Sequence, residues 1–283
     1  MSLTFIPGIN RPEKASPALW FLFKGYRLLI QHQDGQVRIP TLESPEEIGL
    51  TASHPHYLGQ LQGSGATVHC FCGEIGEDME PPSGFTFESL RPLYSQLDEQ
   101  TFWLAGRAVQ IVDWDRTHQY CGRCGQKTVD HQHERSKVCP NCGLTNYPRL
   151  SPAIIVRVQR TGSSGPEILL ARATRFPNAL FSVLAGFVEP GETLEDCVQR
   201  EVYEETRITV KNIAYFGSQP WPFPHSLMIA FTADYESGQL QIDPLEIAEA
   251  GWYPATSMPA IPPPPSIANQ LITTWLENVQ RIT

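Results

Sequence analysis

The sequence predicts an α+β protein built from three consecutive domains, and three observations point to this fold class. Short apolar or alternating runs broken by glycine turns fill residues 17–75, and helical periodicity follows them. Cysteine and glycine are concentrated in residues 118–148. Strand patterns and two helical patterns share the rest of the chain. We therefore predict a mixed α/β N-terminal domain over residues 1–117, a zinc ribbon over 118–148 and a third domain over 149–283.

The composition is that of a globular protein with an acidic balance. The chain has 283 residues, of which 41% are hydrophobic and 18% charged, which argues against wholesale disorder. A formal net charge of −9 provides no general attraction to nucleic acids or anionic membranes. No apolar run approaches the roughly 20 residues that a membrane-spanning helix needs. Residues Met1 to Lys14 do not resemble a signal peptide, so we expect a cytoplasmic protein.

The N-terminal domain is predicted to begin with strands and to end with helices. Asp34-Gly35 favours a tight hairpin turn. The apolar positions between Phe102 and Val112 cover a broad face of the second helix. The predicted strands are Phe21–Phe23, Tyr26–Gln31, Gln36–Ile39 and Ala66–Glu74, and the predicted helices are Phe87–Gln96 and Asp98–Asp115. None of these elements carries a recognisable chemical motif.

Two CxxC pairs predict a structural metal site in the middle of the chain. Cys121 and Cys124 are separated by 14 residues from Cys139 and Cys142, and glycines suit the tight turn of each pair. This spacing indicates one Zn²⁺ per chain in tetrahedral Cys₄ coordination. A catalytic zinc or a redox pair is the alternative, but four cysteine ligands leave no position for water. The chain has seven cysteines, an odd number. The three outside these pairs, Cys70, Cys72 and Cys197, are expected to be free thiols.

The third domain is predicted to combine six strands with two helices. Thr193 is placed to cap the first helix and Ser266 to cap the second, which follows a stiff Pro262–Pro265 spacer. The predicted strands are Ala153–Val158, Ile168–Arg172, Ser182–Ala185, Ile208–Phe216, Leu227–Tyr235 and Gly251–Tyr253, and the predicted helices are Leu194–Thr206 and Ile267–Val279.

The first helix of this domain carries three glutamates on one face. At about 100° per residue, Glu201, Glu204 and Glu205 fall within roughly one 100° arc, whereas Val198 and Val202 point elsewhere, toward a core. Like charges this close repel, and Mg²⁺ or Mn²⁺ would offset the repulsion while bridging to a phosphate. The alternative is a solvated acidic face. Gly186 and Gly191 favour the metal site, because they permit backbone conformations that fold a tight loop over the helix start.

This pattern of glycine, five residues, glutamate, seven residues and Arg-Glu-Val-Tyr-Glu-Glu, from Gly186 to Glu205, resembles the Nudix box. The resemblance implies an α-β-α Nudix fold and a metal-dependent hydrolase acting on acid anhydrides. Where the box has a glycine after the helix, this chain has Arg207, which must adopt a left-handed conformation or end the helix differently.

The resemblance also implies roles for individual residues. Arg200 is expected to orient the glutamates by bidentate pairing, and Glu204 to act as a metal ligand or a partner of the base. The implied catalytic residues are Arg200, Glu201, Glu204 and Glu205, and the implied Mg²⁺ or Mn²⁺ ligands are the Ala185 carbonyl, Glu201, Glu205 and Glu246.

A proline-rich run, Ser-Gln-Pro-Trp-Pro-Phe-Pro-His-Ser over residues 218–226, follows the box. Three prolines predict a rigid extended loop, and a purely structural connection with buried Trp221 and Phe223 is the alternative. The run resembles the SQPWPFPxS signature of the NADH pyrophosphatase branch of the Nudix family. The resemblance implies hydrolysis of NADH or NAD⁺ to a nicotinamide mononucleotide and AMP, removal of NAD caps from RNA, and a homodimer.

The same resemblance implies a set of substrate contacts. Phe187 and Tyr147 would stack on the nicotinamide or a base, a contact worth roughly 1–3 kcal/mol. The zinc ribbon would hold Glu134 and Tyr147 near the Nudix site. The remaining implied contacts are Arg91, Ala268, Gln219, Pro220, Trp221, Pro222, Phe223, Pro224, His225 and Ser226.

Two other functions remain possible from the sequence alone. The first is a Nudix enzyme for another nucleoside diphosphate, such as ADP-ribose, against which the proline signature argues. The second is a nucleic-acid-binding zinc-ribbon protein with an inactive Nudix scaffold, against which the intact Glu201, Glu204 and Glu205 and the acidic balance argue.

Overall fold

The fold was analysed in a computed structural model, which describes residues 3–13, 17–63, 65–163, 165–174 and 180–282. The chain divides into two compact units, Met1–Arg149 and Leu150–Thr283. The predicted zinc ribbon lies within the first unit. The finer division of that unit at residue 117 stays a prediction.

The first unit is built on an eight-stranded mixed sheet with the order β1-β6-β7-β2-β3-β4, in which β5 pairs with β2 and β8 with β3. Its α-helix, α1, spans Glu99–Thr117, and 3₁₀ helices span Pro45–Ile48 and Arg91–Ser95. The strands are β1 Thr4–Pro7, β2 Ala18–Lys24, β3 Arg27–Gln33, β4 Gln36–Arg38, β5 Thr41–Leu42, β6 Ala52–Gly63, β7 Ala66–Ile75 and β8 Phe85–Ser89.

Local sequence signals predicted four of the eight strands of this sheet, β2, β3, β4 and β7, and the helix α1. The Asp34-Gly35 hairpin is confirmed, since both residues have positive φ, 53° and 74°, and Gln33 pairs with Gln36. The predicted second helix is also confirmed, and Asp98 caps it by accepting the backbone N–H of Thr101 at 3.0 Å.

One predicted helix in this unit is wrong. Residues 87–96 do not form a helix, because their first part belongs to β8, which pairs with β3, and Arg91–Ser95 forms a 3₁₀ turn. Apolar and polar residues alternate along β8, a period of two that suits a half-buried strand better than a helix. Strands β1, β5 and β6 were not predicted either, and in β6 histidines and glutamines obscure the alternation.

Three two-residue strands form the core of the ribbon. They are β9 Val129–Asp130, β10 Lys137–Val138 and β11 Thr145–Asn146, in the order β11-β10-β9. Lys137 of β10 is buried and forms an ion pair of 2.8 Å with Asp115 of α1, so the ribbon and the helix share a buried charge contact.

The second unit has a mixed sheet with the order β15-β16-β12-β13-β17, and β14 pairs with β12. Strands β12 and β16 are parallel, and the other pairs are antiparallel. The elements are β12 Ser151–Gly162, β13 Gly165–Ala173, β14 Leu184–Phe187, α2 Leu194–Thr206, β15 Thr209–Trp221, β16 Ser226–Ser237, β17 Ile247–Pro254 and α3 Ile267–Ile282.

The two helices of this unit lie on opposite faces of the sheet. Ile154 belongs to the apolar cluster that contains Val202 of α2, whereas its neighbour Ile155 belongs to the cluster that contains Leu271 of α3. Because successive strand residues point to opposite faces, these clusters lie on the two sides of β12. The α-β-α layering expected for this unit is therefore confirmed. In the described parts of the chain, no helix is long and apolar enough to cross a membrane.

Candidate active site

Helix α2 begins with a reciprocal cap and buries one apolar face. Thr193 Oγ1 accepts the backbone N–H of Asp196 at 3.1 Å, and an Asp196 oxygen accepts that of Thr193 at 3.3 Å. This capping box satisfies two backbone donors that the helix itself leaves unpaired. Val198 and Val202 are fully buried, as the helical periodicity predicts. The cap and the apolar face together fix the rotation of α2 about its axis.

That rotation places the glutamates of α2 in different environments. Glu201 and Glu205 are 9% and 7% exposed, whereas Glu204 is exposed. Buried carboxylates lose hydration and require compensating contacts. Two acidic groups on the inner edge of a helix are therefore not the solvated acidic face that was the alternative interpretation.

Gly186 makes room for the Glu201 carboxylate. It lies in β14, paired with Ile154 of β12, and its φ is not in the left-handed region. A methyl group on Gly186 would overlap the carboxylate of Glu201. The expectation that Gly186 supplies an unusual backbone conformation is therefore wrong, since the residue supplies space. The expectation is confirmed for Gly191, whose φ is 96°.

Arg200 joins the loop before α2 to the glutamates of the helix. Its Nη1 donates to Glu201 at 2.9 Å and to Glu204 at 3.0 Å. Its Nη2 donates to the Phe187 carbonyl at 3.0 Å and to Glu192 at 2.9 Å. The bidentate partner is Glu192, which is bonded through both Nε and Nη2. Sequence reasoning assigned no role to Glu192, although its place in the motif singled it out.

The charges of the site are unevenly balanced. Hydrogen bonds from Arg200 and from the Glu189 backbone lower the pKa of Glu192 to about 2. Burial raises the pKa of Glu201, Arg200 lowers it in part, and the charges of Glu204 and Glu246 raise it further. Glu201 therefore lies in a field of like charge that its arginine does not fully offset. A divalent cation held by carboxylate oxygens suits this surplus of negative charge.

The remaining implied metal ligands lie on segments packed around α2. Ala185 precedes Gly186 in β14 and pairs with Ile155. Glu246 follows α2 in a loop that is tied down twice, because the Asp243 N–H donates to the Glu205 carbonyl at 3.1 Å and the Thr174 N–H donates to the Glu246 carbonyl at 2.8 Å. The fold thus holds the backbone of this distant acidic loop against the end of the helix.

The proline-rich run forms the end of β15, a turn and the start of β16, so it is less of an open loop than the sequence predicts. Trp221 pairs with Ser226 across this hairpin, and its ring meets that of Phe223 edge-on at 5.2 Å. At the tip, His225 Nδ1 and Ser151 Oγ are 3.0 Å apart. Gln219 and Ser226 are each 7% exposed. Half of the signature is therefore built into the sheet.

The four cysteines of the ribbon converge on one point. Their sulfur atoms all lie within 4.8 Å of one another, and the pairs Cys121–Cys142 and Cys124–Cys139 are 3.6 and 3.5 Å apart. Four sulfurs at about 2.3 Å from a tetrahedral zinc would be about 3.8 Å apart. The Gln126 backbone and the Asn141 side chain lower the pKa of Cys124 to about 6, which favours the thiolate that binds metal. The cluster fits zinc.

The other implied substrate residues are divided between the two units. In the first unit, Tyr147 is 59% exposed and its hydroxyl donates to Glu134 at 2.7 Å, while Arg91 is exposed in a 3₁₀ turn. In the second unit, Phe187 is 57% exposed at the end of β14, and Ala268 lies buried in the first turn of α3. The rings of Tyr147 and Phe187 are thus each accessible to a ligand.

Comparison with known proteins gives three consecutive family matches. Residues 17–114 match an NADH pyrophosphatase-like rudimentary NUDIX domain, residues 116–147 an NADH pyrophosphatase zinc ribbon domain, and residues 148–273 a NUDIX domain. The chain is 41% identical to the NAD-capped RNA hydrolase NudC of Pseudomonas aeruginosa strain LESB58, over 94% of this chain and 92% of that protein. This chain belongs to the NADH pyrophosphatase branch of the Nudix hydrolases.

Two further proteins show how far the likeness extends. The NAD-capped RNA hydrolase NudC of Erwinia tasmaniensis is 42% identical over 85% of this chain and 88% of its own length. A Nudix hydrolase from Nitrosomonas europaea of known structure is 18% identical, covers 58% of this chain and 93% of its own, and gives a TM-score of 0.49. The family assignment rests on the sequence relatives.

As a Nudix hydrolase, the chain is an enzyme that uses a divalent metal, and its ribbon carries structural zinc. Its Nudix helix ends without the usual glycine. Arg207 adopts the left-handed conformation itself, with φ 59° and ψ 22°, and its N–H donates to the Tyr203 carbonyl at 2.8 Å. Its guanidinium lies 5.2 Å from the centre of the Tyr203 ring. The helix therefore ends in the left-handed conformation that glycine adopts most easily, at the cost of strain in a non-glycine residue.

Proposed function

We propose that this Nudix enzyme hydrolyses the diphosphate of NADH and NAD⁺ to the corresponding nicotinamide mononucleotide and AMP. We also propose that it removes the NAD cap from RNA, releasing nicotinamide mononucleotide and RNA with a 5′-monophosphate. The observation that carries the proposal is the 41% identity, over 94% of the chain, to a protein named NAD-capped RNA hydrolase. The proline-rich signature and the buried carboxylates of α2 support it.

The residues around α2 suggest how the chain would support the reaction. Glu201, Glu205, Glu246 and the Ala185 carbonyl would hold Mg²⁺ or Mn²⁺, which in such sites activates water and offsets the charge of the diphosphate. Arg200 would hold the carboxylates of Glu201 and the exposed Glu204 in fixed positions, because its Nη1 donates to both of them. Glu204, the most accessible of the three helix glutamates, would serve as a ligand or as a partner of the base.

The substrate would be recognised by stacking and by the hairpin. The exposed rings of Phe187 and Tyr147 would hold the nicotinamide or a base, with Glu134 fixed by its hydrogen bond to Tyr147. Arg91 in the first unit, and Ala268 and residues 219–226 in the second, would make further substrate contacts. Each of these roles remains a proposal, supported by the exposure of the two rings and by the likeness to the NADH pyrophosphatase family.

A turnover assay tests the proposed function. The wild-type protein is incubated with NADH, NAD⁺, NAD-capped RNA and ADP-ribose, each with Mg²⁺ or with Mn²⁺, and the products are separated. We expect nicotinamide mononucleotide from the first three substrates, with a higher kcat/KM than for ADP-ribose. Glu205→Gln is the control, because it keeps the side-chain volume but removes a charge that a metal ligand requires. Preferential cleavage of ADP-ribose would refute the proposal.

The assembly and the location of the protein are also proposals. We propose a homodimer, which sedimentation analysis of the purified protein would detect. We propose the cytoplasm as its location, because Cys70, Cys72 and Cys197, which lie outside the zinc cluster, are free thiols, and free thiols persist in a reducing compartment.

A further inference from the structure

Gln219 was predicted from the sequence to bind substrate. In the structure, both the nitrogen and the oxygen of its side-chain amide form hydrogen bonds within the protein. The side chain is 7% exposed on β15, at the start of the proline-rich hairpin. Its Nε2 donates to the Pro265 carbonyl at 2.8 Å, and its Oε1 accepts the backbone N–H of Ile267 at 2.8 Å. These partners lie 46 and 48 residues further along the chain, so the amide bridges two distant segments.

The acceptor contact satisfies a donor that α3 cannot satisfy by itself. Ile267 is the first residue of α3, and the first N–H groups of a helix have no partner within it. Ser266 Oγ accepts the N–H of Asn269 at 3.3 Å, which is a local cap. Gln219 supplies a second cap from a different strand. The start of α3 is thus set by the residue that begins the hairpin.

We propose that Gln219 is a positioning residue that fixes the distance between the proline-rich hairpin and the first turn of α3, where Ala268 lies. The inference rests on the proposed function, in which the hairpin and Ala268 meet the same dinucleotide. A buried amide with both ends occupied has little surface to offer a ligand. Its effect on binding therefore passes through the two elements it joins.

Two replacements of Gln219 break this bridge of two hydrogen bonds. Gln219→Glu keeps an oxygen for the Ile267 N–H but loses the donor to the Pro265 carbonyl. Gln219→Met keeps similar bulk and loses both contacts. Gln241→Met is the matched control, because Gln241 is an exposed glutamine of the same unit.

The first measurement is hydrogen exchange of the ligand-free, full-length protein. We expect faster exchange at residues 266–270 in both Gln219→Met and Gln219→Glu, and no change in Gln241→Met. A residue that only contacts substrate would leave exchange in the ligand-free protein unchanged. Unaltered exchange at residues 266–270 in both Gln219 variants would overturn the proposal, and thermal melts identify any variant that fails to fold.

The second measurement separates binding from chemistry. We expect KM for NADH to rise about tenfold in Gln219→Met, the scale of a lost buried hydrogen-bond partner, while kcat stays within about threefold. A fall in kcat with unchanged KM would also contradict the proposal. If the wild-type protein cleaves no dinucleotide, the proposed function fails, but the exchange measurement still decides whether Gln219 holds the start of α3.

Discussion

Replacing Gly186 with alanine tests whether the site depends on the close approach of β14 and α2. The added methyl group would overlap the Glu201 carboxylate. The backbone of Gly186 cannot retreat easily, because it is paired with Ile154 inside the sheet. Helix α2 cannot retreat either, because Val198 and Val202 are fully buried on its apolar face. The Glu201 side chain must therefore leave its place.

The size of the effect follows from what that displacement breaks. The cost in unfolding free energy should be small, because the overlapped atoms are the end of a flexible side chain that can turn away. The Glu201 carboxylate would also lose its 2.9 Å contact with Arg200 and its place among the proposed metal ligands. Misplacing even a supporting residue of a metal site typically costs about 10–100-fold. We expect kcat to fall at least about 100-fold in Gly186→Ala, since a proposed ligand itself is moved.

The assay compares kcat on NADH, metal activation curves and thermal melts with those of Gly217→Ala. Gly217 is a matched control in β15, because the nearest side-chain atom to its added methyl group, Ile267 Cδ1, would be 4.0 Å away. We expect the control to keep nearly full activity. If Gly186→Ala retained activity within tenfold of wild type, Glu201 would not need its observed position and the proposed metal site would be refuted.

Three further replacements test the ribbon, a buried charge and the helix end. Cys121→Ser should lower both zinc content and melting temperature, because structural zinc contributes folding energy; an unchanged zinc content by elemental analysis would refute the Cys₄ site. Burial opposes ionisation of Asp115, but hydrogen bonds from His56 and Lys137 outweigh it and lower its pKa to about 2 from 3.8. A lowered pKa stabilises the fold above pH 4, and this contribution, about 2 kcal/mol, is lost as pH falls from about 4 to 2. Asp115→Asn should therefore be less stable at pH 7 and lose less stability over that interval in denaturant titrations; parallel acid curves for both proteins would contradict this. Arg207→Gly should raise the unfolding free energy by up to about 1 kcal/mol by relieving the left-handed strain, whereas Arg207→Ala should not, and equal melting temperatures for the two variants would refute the strain argument.

Features that depend on neighbours in the chain could be predicted from the sequence. The cap at Thr193, the buried face at Val198 and Val202 and the Asp34-Gly35 turn involve residues within a few positions of each other. The helical repeat and the turn conformations are set by local sterics and hydrogen bonds. The ribbon cysteines belong to the same class, because two short knuckles with fixed spacing converge in few other ways.

The features that sequence patterns missed involve contacts between distant segments. Residues 85–89 alternate over only five positions, and they form a strand because β3 offers a partner with matching register. The hydrogen bonds of Gln219 gave no signal in the sequence, because its partners, the Pro265 carbonyl and the Ile267 N–H, are not adjacent to it in the sequence. Pairing energy between segments outweighs the small local preferences of each.

The sequence alone determined the family, the four zinc-binding thiols and the helix face that carries Glu201 and Glu205. Only the tertiary structure decided why Gly186 must be glycine and what Gln219 holds. The physical reason is that a helix face follows from bond geometry within one segment, whereas free space beside a strand exists only after that strand has packed against another element. The residues that bind metal could therefore be predicted from their spacing in the sequence. The residues that hold them in place could be identified only from the packing of the folded chain.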